Sequence, residues 1–219
     1  MSDQPARAAA AGEPPDSRVA VDVVGVVLAG GSGRRIGGGK AIVALDRRPL
    51  ISYPLEAVWR ALGNVTVVAK LDSELPSLPG VTVWIEPSEP RHPLTGILHA
   101  LNLSEGRPVL VCAGDMPLVT PPLITAIAGA DPGGAPAVVA SARGELQPLL
   151  ACFHAASLAP LTQAAGDPDV RLREAVAALA PRVLEVEDPD GLFNVNTPDD
   201  LLQAAAMLDR RRAQGTSRR

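Results

Sequence analysis

The chain has 219 residues, of which 47% are hydrophobic and 20% are charged, a composition that supports one compact domain with a sizeable core. No apolar run approaches the roughly 18 residues of a membrane-spanning helix, so we expect no membrane partner. The formal net charge of -4 and the 2% of aromatic residues exclude a surface built mainly to bind nucleic acid.

The first half of the chain predicts a tail followed by strands and one helix. Residues 1–20 are rich in Ala, Pro and charge and lack the apolar centre of a signal peptide, so we interpret them as a disordered tail. Continuous β-branched runs predict buried parallel strands, and apolar residues at helical spacing predict a helix. The strands are residues 21–28, 65–69 and 81–85, and the helix is residues 51–62, with Pro54 in its first turn.

The second half continues this alternation. Helices are predicted over residues 95–101, 158–165, 170–179 and 198–212, and a further one is opened by Pro121 and Pro122. Strands are predicted over residues 108–113, 137–141, 146–153 and 183–186. We predict a single domain over residues 21–209 and an Arg-rich tail over residues 210–219.

The alternation of strands and helices predicts an α/β fold with a doubly wound, mostly parallel, Rossmann-like sheet. In such sheets ligands bind at the carboxyl ends of the strands, where the strand order reverses. If strands 21–28 and 108–113 are neighbours across that point, the loop after the first strand faces Asp115. We therefore expect the functional site there.

The two cysteines indicate the compartment. Cys112 and Cys152 lie in separate apolar runs, with no Cys or His at metal-ligand spacing. This pattern predicts buried free thiols and a reducing, cytoplasmic location.

Six glycines crowd residues 30–39, GGSGRRIGGG, together with Arg34, Arg35 and the following Lys40. Glycines allow backbone N–H groups to approach an anion closely, and three cations match the charge of a triphosphate. The spacing fits neither a P-loop, which needs Ser or Thr where Ala41 stands, nor a dinucleotide fingerprint. The segment therefore predicts a triphosphate cradle.

The chain has only two lysines, Lys40 and Lys70, among its 20 basic residues. We interpret Lys40 as functional because a compact ammonium can follow phosphate oxygens. For Lys70, a nucleotide contact and a surface charge are equally compatible with the sequence. Asp115 follows a buried strand, and a carboxylate facing a phosphate cradle suits Mg²⁺, although a turn cap is the alternative.

Three segments resemble one known family. LAGGSGRRIGGGKAIVAL, residues 28–45, is similar to the signature LAGGxSxRMGxxKxLL of nucleotidyltransferases, particularly the MobA-like molybdenum cofactor guanylyltransferases, with departures at Gly33, Ile36 and Gly39. GDMP around Asp115 resembles their CDxP motif. FNVNTPDDL, residues 193–201, looks like their FNVNTPEDL, whereas cytidylyltransferase relatives carry DIDTP there.

The resemblance implies a magnesium-dependent transfer of GMP from GTP to the phosphate of molybdopterin or the molybdenum cofactor, with release of pyrophosphate. It also implies transient contact with molybdenum-insertion proteins or molybdoenzymes. Cytidylyl transfer, transfer to a sugar phosphate, and a non-catalytic nucleotide-binding regulator stay open as alternatives.

The residues themselves and the resemblance together nominate the site. The catalytic candidates are Arg35, Lys40 and Asp115, and the metal candidates are Asp115 and Asn196. The nucleotide-binding candidates are Leu28, Ala29, Gly30, Gly31, Lys40, Lys70, Glu86 and Asp115. HPLTG, residues 92–96, is similar to the family's GPLAG stretch. In relatives an Asp just before that stretch contacts the nucleotide, and here Glu86 and Glu89 are the only acids at that place. We expect the backbone of Leu28 to Gly30 to read the guanine edge.

Overall fold

The computed structural model describes residues 22–30 and 39–216. In chain order its strands and helices are β1 (Val24–Leu28), β2 (Ala44–Leu45), β3 (Arg48–Pro49), α1 (Ser52–Leu62), β4 (Thr66–Ala69), β5 (Thr82–Ile85), α2 (Pro93–Leu103), β6 (Val109–Ala113), α3 (Pro121–Gly129), β7 (Ala137–Ala142), β8 (Glu145–Phe153), α4 (Leu158–Ala164), α5 (Leu172–Ala178), β9 (Arg182–Glu185) and α6 (Pro198–Thr216). Seven strands form one sheet, and β2 and β3 form a separate ribbon.

The strands of the large sheet follow the order β5-β4-β1-β6-β8-β7-β9. β1 pairs in parallel with β4 on one side and with β6 on the other, so that Val26 lies beside Thr66 and Val111. The strand order therefore reverses between β1 and β6, which confirms the predicted neighbours. It also brings the segments that follow these two strands to the same edge of the sheet.

Apolar clusters cover both faces of the sheet. One cluster packs α1 and α3 on Val27 of β1 and Cys112 of β6, and the other packs α2, α4 and α5 on the opposite face, around Val26 and Val111. Because both faces are buried, β1 and β6 need continuous apolar runs, and this is why the sequence predicts them well.

Across the described residues, every helix is too short or too polar to cross a membrane.

β8 interrupts the parallel order. It runs antiparallel to both β6 and β7, which makes the sheet mostly parallel, as predicted. The turn between β7 and β8 consists of Arg143 and Gly144, both with positive φ (55° and 76°), and two such residues suit a tight hairpin.

Two elements differ from the sequence prediction. The ribbon β2–β3 is not predicted, because its two-residue strands are too short to show a period; Asp46 and Arg47 form its turn at φ of 49° and 62°. The closing helix, predicted over residues 198–212, continues in α6 to Thr216, and Arg211 donates to the Leu118 carbonyl at 2.6 Å. Residues 1–20, predicted as a tail, lie outside the described residues.

A third apolar cluster attaches this ribbon to α6. Leu45 and Leu50 pack with Tyr53 of α1, Val195 and Ala204. The hydroxyl of Tyr53 donates to the Leu45 carbonyl at 2.8 Å. The cluster therefore joins the chain that follows the glycine segment to the chain that leads into α6.

Candidate active site

A cavity of about 520 Å³ opens where β1, β4 and β6 end. Its wall includes residues at and after the ends of these strands, together with the start of α2. The residues that line it include Leu28, Ala29, Gly30, Lys40, Ala41, Lys70, Glu86, Arg91, His92, Gly96, Gly114, Asp115 and Leu149.

Lys40, Asp115 and Asn196 meet at this edge of the sheet. The Nζ atom of Lys40 donates to Oδ2 of Asp115 at 2.5 Å and to Oδ1 of Asn196 at 2.8 Å. The Lys40 and Asp115 side chains are 15% and 20% exposed, so the ion pair is accessible to a small ligand. The three residues that the sequence nominated from separate segments thus form one polar cluster.

Close packing of the strand ends positions Asp115. The Gly114 N–H donates to the Leu28 carbonyl at 2.9 Å, and a Cβ atom at residue 114 would lie 2.9 Å from that same oxygen. A side chain at residue 114 would therefore push β6 away from β1. Glycine at this position lets Asp115 emerge directly beside the end of β1.

The N-terminus of α6 positions Asn196. Oδ2 of Asp200 accepts from the N–H groups of Asn196 and Thr197, both at 2.8 Å, while Oγ1 of Thr197 accepts from the Asp200 N–H at 3.1 Å. These reciprocal bonds confirm the predicted cap, and the bond from the Asn196 N–H is the main cause that lowers the pKa of Asp200. The Val195 N–H donates to the Asp115 carbonyl at 2.9 Å, which ties this segment to the end of β6.

The oxygen atoms at this cluster fit a hard cation. Oδ2 of Asp115 and Oδ1 of Asn196 already hold the ammonium of Lys40, and Oδ1 of Asp115 is buried with no hydrogen-bond partner among the described residues. Nowhere in residues 22–30 and 39–216 do three or more His, Cys, Asp or Glu side chains form a metal-binding group. A metal ion here would therefore need phosphate or water oxygens as further ligands.

Lys70 and Glu86 form a buried pair in the cavity wall. Lys70 is 3% exposed, which excludes the surface-charge interpretation, and its Nζ lies 3.5 Å from Oε1 of Glu86. It also donates to the carbonyls of Pro87 at 2.6 Å and Pro90 at 3.3 Å. Burial raises the pKa of Glu86, and the ammonium of Lys70 opposes that shift only in part.

The structure distinguishes the two candidate acids. Oε2 of Glu86 is buried without a partner among the described residues, whereas the Glu89 side chain is 75% exposed and accepts from the Arg91 N–H. A Cβ atom at Gly30 would lie 2.7 Å from Oε1 of Glu86, and one at Gly96 would lie 3.1 Å from Oε2. Two glycines thus make room for the Glu86 carboxylate, and of the two acids only Glu86 lines the cavity.

The expected base-reading backbone is partly engaged already. The Ala29 N–H donates to the Val68 carbonyl at 2.8 Å, and the Leu28 carbonyl accepts from Gly114. Gly30 lines the cavity beside Glu86. His92 caps α2 through its Nδ1 atom, and burial lowers its pKa. The cap accounts for a histidine at this position without a catalytic role.

Gly31 and Arg35 lie outside the described residues. At the end of the glycine segment, a Cβ atom at Gly39 would overlap the carboxylate of Glu74. This contact explains why glycine stands at residue 39, one of the departures from the family signature. The sequence contains no signal for it, because Glu74 comes from the distant segment between β4 and β5.

A cation, a carboxylate and an amide beside a cavity at the strand-order reversal define a protein of the α/β nucleotidyltransferase class. The chain belongs to the MobA-like NTP transferase family, whose domain description matches residues 25–183.

Proteins of known description support this assignment. A probable molybdenum cofactor guanylyltransferase of Chloroflexus aggregans is 33% identical over 84% of this chain and 94% of its own. A molybdenum cofactor guanylyltransferase of Mesorhizobium japonicum is 32% identical over 85% of this chain and 96% of its own. The solved structure of molybdopterin-guanine dinucleotide biosynthesis protein A from Archaeoglobus fulgidus has the same fold, with a TM-score of 0.68, 24% identity, and coverage of 85% of this chain and 99% of that one.

Proposed function

We propose that the protein is a molybdenum cofactor guanylyltransferase, which transfers GMP from GTP to the phosphate of molybdopterin or the molybdenum cofactor. The observation that carries the proposal is the meeting of Lys40, Asp115 and Asn196 beside a cavity of about 520 Å³. The relatives named for this activity match 84% and 85% of the chain. The FNVNTP segment that resembles theirs supplies Asn196.

In the proposed reaction, a phosphate oxygen of the acceptor forms a bond to the α-phosphorus of GTP. The bond between that phosphorus and the oxygen bridging to the β-phosphate breaks, and pyrophosphate leaves with the bonding electrons. The acceptor phosphate is already anionic and needs no general base. Catalysis therefore consists of alignment and charge neutralisation, with Lys40 at the cavity and, as we propose, Arg35 from the glycine segment.

We propose Mg²⁺ as the divalent cation, held by the Asp115 carboxylate and the Asn196 amide oxygen. Both are hard oxygen donors, which Mg²⁺ prefers, and the second carboxylate oxygen of Asp115 lacks a partner among the described residues. When bound, Mg²⁺ supplies positive charge to the phosphate oxygens. The protein itself offers few ligands, so we expect the cation and the nucleotide to bind together.

We propose that Glu86 recognises the guanine base. Guanine presents adjacent N–H donors at N1 and N2, which one carboxylate accepts as a pair, whereas cytosine and adenine each offer a single amino group. Such donors would satisfy the buried Oε2 of Glu86 and offset the cost of its burial, while Lys70 balances its charge from behind. We assign the Gly30 N–H, at the wall of the cavity, to the guanine O6 atom.

The test is a pyrophosphate-release assay with each of the four NTPs and with molybdopterin or the molybdenum cofactor as acceptor. We expect release with GTP and Mg²⁺, and none after chelation. Preference for CTP would assign cytidylyl transfer, and release only with a sugar phosphate would assign that acceptor instead. Nucleotide binding without release in every combination would indicate a non-catalytic regulator.

A further inference from the structure

Lys40 binds one oxygen atom of each of the two side chains that the proposed function assigns to the metal. Its Nζ lies 2.5 Å from Oδ2 of Asp115 and 2.8 Å from Oδ1 of Asn196. An ammonium group and a divalent cation use the same oxygen lone pairs. Two cations bound to one carboxylate also repel each other, so the lysine and the metal compete for this position.

We propose that Lys40 is an internal competitor of the divalent cation. It keeps the oxygens of Asp115 and Asn196 together before substrates bind, and it leaves them for the nucleotide phosphates when the cation enters. This inference rests on the proposed function and goes beyond it, because it gives one lysine two successive partners and places cation affinity under the control of a side chain that is not a ligand.

The surroundings of Lys40 permit this exchange. Its side chain is partly exposed and borders the cavity that we assign to the nucleotide. A flexible stem of four carbons carries its ammonium group, so that the charge can move while the backbone stays in place. An ion pair in contact with solvent is also far easier to open than a buried pair such as that of Lys70 and Glu86.

The exchange makes the binding of cation and nucleotide cooperative. Without nucleotide, an entering cation must displace Lys40 from its partners. With nucleotide present, the triphosphate offers Lys40 a new anionic partner, and the displacement costs less. The coupling is reciprocal, so the cation also favours nucleotide binding. Removal of the lysine charge should therefore strengthen cation binding in the nucleotide-free protein, the opposite of what loss of a supporting residue would do.

The test measures Mn²⁺ binding to the full, nucleotide-free chain by the electron paramagnetic resonance signal of free Mn²⁺. Lys40→Met removes the charge and keeps most of the stem. We expect it to lower the Kd for Mn²⁺ by about fivefold, the scale of a partly exposed charge interaction. Arg173→Met is the matched control, since it removes one charge from a surface pair with Glu145 that does not border the cavity; its Kd should stay within about twofold of wild type.

Asp115→Asn, measured in the same assay, separates the two levels of the argument. If Asp115→Asn weakens Mn²⁺ binding and Lys40→Met does not tighten it, the competition is wrong and the metal assignment stands. If Asp115→Asn leaves the affinity unchanged, the metal assignment itself is wrong, and the competition fails with it. Urea unfolding of each variant verifies that the affinities belong to folded protein.

Discussion

At the scale of single residues, the two lysines of this arginine-rich chain have opposite surroundings at one cavity. Lys40 is partly exposed and bonds to two side-chain oxygens, whereas Lys70 is buried and bonds to two backbone carbonyls beside Glu86. The first arrangement can exchange partners, and the second fixes a carboxylate in place. A planar guanidinium would fit neither role as well as a compact ammonium does.

Asp115→Asn should lower the rate of GMP transfer by on the order of 10²-fold or more, because the substitution removes the negative charge that we propose binds the cation. The measurement is pyrophosphate release under saturating Mg²⁺ and GTP. Asp199→Asn is the matched control, since Asp199 is exposed on the first turn of α6. Equal rates for the Asp115 variant and wild type would remove this carboxylate from the mechanism.

Glu86→Gln should reduce the preference for GTP over ITP, which lacks the 2-amino group. A hydrogen bond to a charged group contributes about 1.5–3 kcal/mol, so we expect wild type to prefer GTP by at least tenfold in kcat/KM. Most of that preference should disappear in the variant, because a neutral amide accepts more weakly and adds its own N–H donors. An unchanged GTP to ITP ratio would assign the base contact to another group.

Lys70→Met should destabilise the fold by about 3 kcal/mol at pH 7.5, because it leaves the Glu86 charge buried without its partner. The pKa of Glu86 is already raised, and loss of Lys70 raises it further. A raised pKa in the folded state costs stability that accumulates from the unfolded value of about 4.3 up to the folded pKa and is fully present above it, so the deficit should shrink when the pH falls to 5.

Urea unfolding at both pH values measures the Lys70→Met deficit. Arg60→Met, which opens the exposed pair of Arg60 with Glu56, is the control and should change stability by less than about 1 kcal/mol. A Lys70→Met deficit that is the same at pH 5 and pH 7.5 would contradict the assignment of the cost to Glu86.

At the scale of elements, the sequence predicts what depends on local pattern. The continuous apolar runs of β1 and β6 predict both strands, and their shared edge predicts that Lys40 and Asp115 face one cavity. The ribbon β2–β3 has two residues in each strand, too few to show alternation. Nor does the antiparallel pairing of β8 with β6 follow from the sequence of either strand.

Contacts between distant segments account for the rest of the site. Glu86 and Glu89 are indistinguishable in sequence, because only tertiary packing buries one and exposes the other. The same holds for Lys70, whose two carbonyl partners belong to the chain after β5. Asn196 could be nominated only through the resemblance of its segment to FNVNTPEDL, since an asparagine before a helix is common as a cap.

Leu45→Ala should destabilise the protein by about 3 kcal/mol, because Leu45 is 1% exposed in the third cluster and its removal leaves a cavity between the ribbon and α6. Leu202→Ala is the matched control on α6, where a 71% exposed leucine should contribute less than about 0.5 kcal/mol. Urea unfolding compares the two. Similar losses for both variants would mean that the third cluster does not attach the ribbon.

At the scale of the whole molecule, the central strands connect the site to global stability. Gly30 follows the end of β1, and Asp115 follows the end of β6. The main apolar clusters cover both faces of these two strands. We therefore expect the site to rest on the part of the fold that opens last, while its ligand groups lie on the segments that follow. Cys112 of β6 and Cys152 of β8 report directly on that central part, because these strands are neighbours.

Both thiols should react with a thiol reagent only when the molecule unfolds. Each is at most 1% exposed, and burial raises the pKa of Cys152 to about 12 and raises that of Cys112 as well, so the native protein presents almost no thiolate at pH 8. We expect the two cysteines to be labelled at the same rate, and that rate to rise with urea as steeply as the equilibrium constant for unfolding does. Mass spectrometry of the labelled peptides measures each cysteine separately. Rapid labelling of one cysteine without urea would show that β6 and β8 open independently, and the central sheet would then not be a single cooperative unit.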